Sequence, residues 1–220
     1  MSSSPAGDMP GWLAKLAELA PGLPVPDVMR PPPGASRPSA VLVLFGHGPD
    51  GPDLLIVQRS PWLRRHAGQA AFPGGAIEPG DEGPVGAALR EAAEEAGVDP
   101  AGVEVLALLP ELFISRSGFA VTPVLGWWRR PAPIIPAADG EVVSAARVSL
   151  TSLADPANRL TVRHPSGAVG PAFRVDGMFI WGFTAALVDR LLELSGWEQP
   201  WDHGNEEDLP PGVRGLPASS

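Results

Sequence analysis

The sequence lacks cysteine, and it lacks any apolar run of the length that a membrane requires. Without cysteine the chain has no disulfides, no cysteine-type zinc finger, no iron–sulfur ligation and no cysteine nucleophile. A membrane-spanning helix needs about 18 or more consecutive apolar residues, and no stretch approaches that length. The opening letters MSSSPAGDMP also lack the basic and then apolar pattern of a secretory signal. These absences predict a cytoplasmic protein without a membrane partner.

Positive charge is scarce as well. The chain has 16 Lys and Arg against 25 Asp and Glu, which gives a formal net charge of -9. Lys15 is the only lysine, so the other basic residues are arginines. A surface of this sign repels phosphate and argues against general binding to nucleic acid. If the substrate carries phosphate, local arginines or metal ions must therefore reverse the field.

Length and composition predict one folded domain between two loose ends. A chain of 220 residues is long enough for one compact domain with a proper core. Its 26 glycines and 28 prolines cluster at the ends and in loops. We predict a helix and proline-rich lead-in over 1–38, a folded domain over 39–195, and a disordered tail over 196–220, where periodicity is absent.

Apolar periodicity predicts the secondary structure. Strands are expected at 41–45, 54–58, 103–109, 120–125, 146–150, 172–175 and 178–181, with helices at 84–96 and 182–194. The first two strands flank a turn rich in Gly, Pro and Asp and are expected to pair. A shorter helix follows from Trp12, Leu13, Leu16 and Leu19, and it either caps the core or binds a partner. The order of elements indicates an α/β fold, a mixed sheet flanked by helices.

The helix over 84–96 carries an acidic edge, which we define as Glu91, Glu94 and Glu95. At about 100° per residue these three side chains fall within roughly 100° of one another, opposite an alanine-rich stripe. Arg90 lies beside them, one turn before Glu94, and Gly97 follows the last periodic residue, where a left-handed residue would end the helix.

The acidic edge has two interpretations. It is either a solvated face or a site for a hard divalent cation. Like charges one turn apart repel by about 0.2–0.5 kcal/mol per pair, and no lysine is interleaved here. A cation such as Mg²⁺ or Mn²⁺ prefers carboxylate oxygens and would turn this repulsion into attraction. The turn Pro73-Gly74-Gly75 lies just upstream, and its glycines let backbone approach a ligand closely.

These residues resemble the Nudix box, G-x5-E-x7-R-E-U-x-E-E-x-G-U with U apolar. The match consists of Gly75 and the run Arg90-Glu91-Ala92-Ala93-Glu94-Glu95-Ala96-Gly97-Val98. The second half fits throughout with Ala92 as U. The interval from Gly75 to Arg90 is one residue longer than the standard spacing. Counting back from Arg90 places Glu82 at the first glutamate and Ala76 at the glycine, so the role of Glu82 stays open.

The segment before the box resembles the extra signature of the coenzyme A pyrophosphatase branch of this family. Within LLIVQRSPWLRRHAGQAAFPGGAIE the matching letters are Arg59-Ser60, Gly68 and Phe72-Pro73-Gly74-Gly75, while Glu78 stands where Asp is usual. The same branch carries the longer spacing. The resemblance covers roughly residues 40 to 194. It implies a Nudix fold, that is, an α/β/α sandwich with a mixed β-sheet.

The resemblance also implies roles for individual residues. The chemistry would be hydrolysis of a diphosphate with Mg²⁺ or Mn²⁺ as cofactor. Glu91 and Glu95 would be the principal metal ligands, with Glu94 a further ligand or a group that orients one, and with the carbonyl of Gly74 as an additional ligand. Arg90 would orient Glu91 or Glu94 through charge-assisted hydrogen bonds, or would form only a surface ion pair.

Candidates for the base and for substrate recognition are less specific. Glu141 is either a general base carried by a late loop or an exposed glutamate at a strand end. Coenzyme A carries a diphosphate and a 3′-phosphate, so Arg59, Arg64 and Arg116 are either phosphate contacts or solubilising loop arginines. The pair Trp127-Trp128 either stacks on adenine or packs in the core or at a subunit interface.

The resulting prediction is a metal-dependent Nudix pyrophosphohydrolase that cleaves coenzyme A or acyl-CoA to 3′,5′-ADP and (acyl-)4′-phosphopantetheine. One alternative is the same chemistry on ADP-ribose, a dinucleotide or a nucleoside triphosphate. Another is a non-catalytic module that binds nucleotides, against which the intact pairs Arg90-Glu91 and Glu94-Glu95 argue. The resemblance also leads us to expect a small-molecule nucleotide as partner and a possible homodimer.

Overall fold

The computed structural model describes residues 8–32, 37–62, 68–115, 117–136 and 140–210. Its helices are α1 (Gly11–Leu19), α2 (Gly83–Ala96), α3 (Leu150–Ala154) and α4 (Gly182–Ser195). Its strands are β1 (Arg37–Gly48), β2 (Gly51–Arg59), β3 (Ala70–Ala71), β4 (Gly74–Ala76), β5 (Val103–Leu108), β6 (Leu112–Ile114), β7 (Phe119–Trp128), β8 (Val142–Ser149), β9 (Arg159–Arg163), β10 (Val169–Val175), β11 (Met178–Ile180) and β12 (Glu206–Asp208). Every predicted helix and strand is present, and within the described ranges one further α-helix, α3, and five further strands, β3, β4, β6, β9 and β12, were not predicted.

The larger sheet is mixed and is built around β1. This strand pairs antiparallel with β2 and β4 and parallel with β7. Strand β2 also pairs with β3 and β8, and β7 also pairs with β5 and β6, all antiparallel. Phe45 lies opposite Leu54 across the first hairpin, so the predicted pairing of the first two strands is confirmed.

Helices cover both faces of this sheet. Successive side chains of a strand point to opposite faces. Leu42 and Leu44 of β1 belong to one core, which they share with Ala87 and other residues of α2. Val43 and Phe45 belong to the other core, together with side chains of α1, α3 and α4. The predicted α/β/α sandwich is therefore confirmed.

Helix α1 belongs to the second of these cores. Leu13 and Leu16 are completely buried. The Trp12 ring packs edge-on against Phe45, with ring centroids 5.4 Å apart, and against Trp197 at 6.0 Å. The structure thus supports the interpretation of this helix as a cap on the core. No helix within the described ranges is long and apolar enough to cross a membrane.

Helix α2 is delimited by glycine at both ends. Gly83 has φ of +65° and precedes Pro84 in the first turn. Gly97 has φ of +69°, and its N–H donates to the carbonyl of Ala93 at 3.0 Å. A residue without Cβ adopts this left-handed conformation at little cost, so the predicted end of the helix at Gly97 is confirmed. The last turn of α2 is consequently a fixed support for the acidic edge.

A second, four-stranded sheet has the order β11-β10-β9-β12. Its outer strand β12 belongs to a segment that we call the C-terminal strap, residues 196–210. The prediction of disorder from residue 196 is wrong for this segment, because β12 pairs parallel with β9 and Leu209 is buried. Strand β12 reads Glu-Glu-Asp and shows no apolar periodicity. Its side chains instead form ion pairs with neighbouring strands, Glu206 with Arg163 and Glu207 with Arg174.

Candidate functional site

Strand β4 places the glycine turn directly against helix α2. Gly74 pairs with Val41 of β1 so closely that a Cβ at position 74 would overlap the main chain of Ala40 and Val41. A Cβ at Gly75 would overlap the carboxylate of Glu91. Glycine is therefore required at position 74, where the neighbouring atoms are main chain, and at position 75 it lets the Glu91 carboxylate lie against the turn.

Glu95 is the most buried member of the acidic edge, with 7% of the residue exposed. Its Oε2 accepts a hydrogen bond from the Gly74 N–H at 3.0 Å, and its Oε1 accepts one from Nη1 of Arg59 at 3.0 Å. Burial raises the pKa of Glu95 to about 7, while the charge of Arg59 and the Gly74 hydrogen bond act in the opposite direction. Enclosure in the fold thus disfavours the charged form of this carboxyl, and its two hydrogen-bond donors favour it.

Glu91 and Glu94 differ in burial. The side chain of Glu91 is 17% exposed, whereas that of Glu94 is 56% exposed. Burial raises the pKa of Glu91, although its hydrogen bond from Arg90 opposes that change. Glu94 extends toward solvent at the rim of the site. The acidic edge thus contains two enclosed carboxylates and one that is open to water.

Arg90 holds this edge to the turn before the helix. Its Nη1 donates to Glu91 Oε1 at 2.9 Å and to Glu94 Oε2 at 3.2 Å, so both contacts considered from the sequence are present. Its Nε and Nη2 donate to the two carboxylate oxygens of Asp81 at 2.9 and 3.1 Å. Nη2 also donates to the carbonyl of Ala76 in β4. The guanidinium of Arg90 is thus fixed by Asp81 and Ala76 on one side, and on its other side it orients the carboxylate of Glu91.

Asp81 is a residue that the sequence prediction missed. Counting the motif back from Arg90 led to Glu82, but Glu82 occupies the N-cap position of α2 and Asp81 binds the arginine. The hydrogen bonds from Arg90 hold the pKa of Asp81 below its ordinary value. The sequence does contain a signal for Asp81. The interval from Gly75 to Arg90 is one residue longer than the standard spacing, and Asp81 lies within that interval, in the turn Pro79-Gly80-Asp81.

Arg59 lies where β2 ends, between two carboxylates. Its Nη2 is 3.5 Å from Oε2 of Glu141, in addition to the contact with Glu95. The main chain fixes this position, because the Ser60 N–H donates to the Glu141 carbonyl at 2.7 Å and the Arg59 N–H donates to the carbonyl of Gln69. The sequence leaves Arg59 as either a phosphate contact or a solubilising loop arginine. In the structure its guanidinium is paired with the two acidic residues, and the phosphate contact stays a prediction.

Comparison with known proteins identifies the family. The NUDIX domain model matches residues 36–166 of the chain, a range that includes the glycine turn, α2 and Glu141. The chain belongs to the Nudix family. The resemblance given by the Gly75 turn and the run from Arg90 to Val98 is therefore confirmed.

Curated relatives of this Nudix protein include several that are named uncharacterized Nudix hydrolase NudL. The protein from Citrobacter koseri is 41% identical over 153 residues, which cover 64% of this chain and 73% of that one. The protein from Klebsiella pneumoniae is 40% identical over 181 residues, 74% of this chain and 88% of that one. The protein from Escherichia coli K12 is 39% identical over 162 residues, 70% and 81% of the two chains.

A solved structure supports the fold. The Nudix hydrolase RenU from M. smegmatis aligns with a TM-score of 0.52 and 23% identity, covering 76% of this chain and 90% of that one. Together with the family match and the relatives, this makes the protein a Nudix hydrolase. Nudix hydrolases generally use divalent metals.

The donor set of this Nudix protein fits a hard divalent cation. Glu91 and Glu95 present carboxylate oxygens on one side of α2, and such oxygens are the ligands that Mg²⁺ and Mn²⁺ prefer. Across the described residues, no group of three or more His, Asp or Glu side chains stands close enough together to hold an ion as a set.

The structure bears differently on the remaining sequence-predicted residues. Arg64 and Arg116 fall outside the described residues. Trp127 and Trp128 are 2% and 1% exposed, so they pack in the core and are not available to stack on a substrate ring. For Gly74 the structure shows the amide donating to Glu95, whereas the role of its carbonyl as a ligand stays a prediction.

Proposed function

We propose that this Nudix hydrolase cleaves the diphosphate of coenzyme A or an acyl-CoA. Water would add across the P–O–P linkage, and the products would be 3′,5′-ADP and 4′-phosphopantetheine or its acyl form. The reaction would depend on Mg²⁺ or Mn²⁺, and the coenzyme would be the protein's small-molecule partner.

One observation carries this proposal. The segment that resembles the coenzyme A signature is in direct contact with the acidic edge. Arg59 from its beginning and Gly74 from its end each donate a hydrogen bond of 3.0 Å to Glu95. The segment that resembles the coenzyme A signature and the Nudix box are neighbours along the sequence, and in the structure they meet at the carboxylate of Glu95. A segment placed in this way would select what is presented to the acidic edge.

Individual residues would then have distinct roles. Glu91, Glu95 and Glu94, with the Gly74 carbonyl, would hold the divalent cation. When bound, such a cation neutralises diphosphate charge and lowers the pKa of water that it coordinates. Arg90, held by its hydrogen bonds to Asp81, would keep the carboxylate of Glu91 in place. Glu141, whose side chain is 58% exposed, is open to solvent and would accept the proton of the attacking water.

The net charge of -9 repels a substrate that carries a diphosphate and a 3′-phosphate, so positive groups near the site must offset this repulsion. Arg64 and Arg116 are proposed to contact the diphosphate or the 3′-phosphate. A planar guanidinium matches the geometry of two phosphate oxygens better than a lysine does. Arg59 could join them only if its guanidinium leaves Glu95.

The direct test is to incubate the purified protein with coenzyme A and Mg²⁺ or Mn²⁺ and to separate the products by chromatography. We expect 3′,5′-ADP and 4′-phosphopantetheine to accumulate in equal amounts. Glu95→Gln should reduce kcat by about 100-fold or more, since it removes a carboxylate that would hold the cation. Glu18→Gln, on the exposed side of α1, is the matched control and should leave the rate unchanged. Absence of turnover with either metal would refute the substrate assignment.

A panel of substrates separates coenzyme A from the alternative nucleotides. We expect kcat/KM for coenzyme A or an acyl-CoA to exceed the values for ADP-ribose, a dinucleotide and a nucleoside triphosphate. A higher value for ADP-ribose would favour the alternative substrate class. Unchanged hydrolysis in Glu95→Gln would contradict the metal assignment, whichever substrate is best. The expected homodimer is tested separately by light scattering of the purified chain.

A further inference from the structure

Both carboxylate oxygens of Glu95 are already engaged. Oε1 accepts from Nη1 of Arg59 and Oε2 accepts from the Gly74 N–H, each at 3.0 Å. The Gly74 donor belongs to the main chain of β4, which is paired with β1 and cannot leave without breaking the sheet. The Arg59 donor is a side chain. If Glu95 is to exchange a partner, the guanidinium is the partner that can move.

The guanidinium of Arg59 is enclosed and only partly satisfied. Its side chain is 21% exposed, and its Nε is buried with no hydrogen-bond partner among the residues that the structure describes. The contact of Nη2 with Glu141 is 3.5 Å, longer than a strong charge-assisted hydrogen bond. A buried donor without a partner is costly. Charge attraction to Glu95 and Glu141 therefore holds the Arg59 guanidinium at this place, although its hydrogen bonds are incomplete.

We propose that Arg59 is an internal counter-ion that occupies the acidic edge in the absence of a divalent cation, and that a cation bound by Glu95 must displace it. This inference rests on the proposed function, because it assumes that Glu95 is a ligand. A fixed positive charge 3.0 Å from a ligand oxygen repels an arriving cation. Arg59 therefore weakens metal binding in the free protein, and the displaced guanidinium becomes available to an anionic substrate.

The direction of the change in metal affinity on removal of Arg59 distinguishes competition with the cation from a purely structural role. If Arg59 merely held Glu95 in place, its removal would weaken metal binding or leave it unchanged. If Arg59 competes with the cation, its removal strengthens metal binding. Arg59→Lys keeps the charge and should stay close to the wild type, whereas Arg59→Met keeps the length and loses the charge.

The experiment is a titration of the metal-free full-length protein with Mn²⁺ at pH 8 by calorimetry, without substrate. Because Arg59 also lowers the pKa of Glu95, affinities are compared after correction for the proton released on binding, which titrations in two buffers of different ionisation enthalpy supply. On that basis we expect Arg59→Met to bind Mn²⁺ about tenfold more tightly than the wild type, since a close guanidinium lowers the affinity of a carboxylate for a proton by about tenfold or more. Arg147→Met is the matched control, because Arg147 is 23% exposed, pairs with Asp53 near the other end of β2, and should not alter Mn²⁺ affinity. Equal or weaker binding in Arg59→Met would overturn the inference.

Two further measurements keep the outcomes distinct. Glu95→Gln should bind Mn²⁺ more weakly than the wild type. If it binds equally well, Glu95 is not a ligand, and both the proposed function and this inference fail. If Arg59→Met does not fold, hydrogen exchange of the wild-type protein is measured by NMR instead. The Nε–H signal of Arg59 is assigned by its loss in Arg59→Lys. This proton should exchange with solvent faster after Mg²⁺ is added. Unchanged exchange with Mg²⁺ bound would show that the guanidinium stays in place.

Discussion

At the scale of single residues, the site depends on glycines whose missing Cβ leaves room for a neighbouring group. Gly75 is the clearest case, because the volume that a Cβ would take is filled by the carboxylate of Glu91. A change at this position acts on the acidic edge, while β4 and its pairing with β1 can stay in place. The sequence could indicate a close approach here, but it could not indicate that the approaching group is an acidic side chain of the same chain.

We predict that Gly75→Ala lowers kcat/KM by about 100-fold, since a displacement of roughly 1 Å in a reacting group has an effect of that size. The added methyl would push the Glu91 carboxylate away from the turn. Thermal denaturation should show a much smaller change. Gly80→Ala is the control, because a Cβ at Gly80 meets nothing within 4 Å, and its activity should match the wild type. Normal activity in Gly75→Ala would mean that the position of Glu91 is not critical.

At the scale of elements, helix α2 is joined to the turn before it by a single side chain. Arg90 reaches back to both oxygens of Asp81 and forward to Glu91 and Glu94. The turn, the helix and β4 are thus linked through one guanidinium. Because the pKa of Asp81 is lowered in the folded protein, its carboxylate contributes stability at every pH above its unfolded value of about 3.9.

We therefore predict that Asp81→Asn lowers the Tm by a similar amount at pH 7 and at pH 5. Below about pH 4 the difference from the wild type should narrow progressively, because the unfolded chain takes up a proton at Asp81 there and the folded protein does so only at still lower pH. Thermal unfolding followed by circular dichroism at several pH values measures both quantities. Asp50→Asn, in the exposed turn between β1 and β2, should show no such pattern. A difference that persists unchanged at pH 3 would contradict an electrostatic origin.

The elements themselves differ in how far the sequence determines them. Helix α2 and its end at Gly97 could be predicted, because an amphipathic stripe and a left-handed glycine are local signals. Strand β12 could not, because three acidic residues form a strand only beside arginines from other strands. The partners of Arg59 were equally inaccessible, since Glu95 and Glu141 reach it through tertiary contacts alone.

At the scale of the whole molecule, one buried arginine joins the small sheet to the rest of the fold. Arg159 is fully buried, pairs with Asp189 of α4, and lies 3.5 Å from Glu198 of the C-terminal strap. Its guanidinium also lies over the rings of Phe173 and Trp201, at 5.3 and 4.4 Å from their centroids. The strap is ordered because charge and aromatic contacts from three elements meet at this residue.

Arg159→Met should therefore lower the free energy of unfolding by about 3 kcal/mol, because it leaves the partly enclosed carboxylates of Asp189 and Glu198 without their cation. Arg174→Met is the matched comparison in the same sheet, since Arg174 forms an exposed pair with Glu207 and its loss should have a much smaller effect. Urea denaturation of both variants measures the difference. The folded Arg159→Met protein should keep the wild-type kcat, because Arg159 contacts none of the acidic edge. Equal stability of the two variants would show that the strap is held by its apolar contacts, such as Trp197 on Trp12, and not by the buried charge.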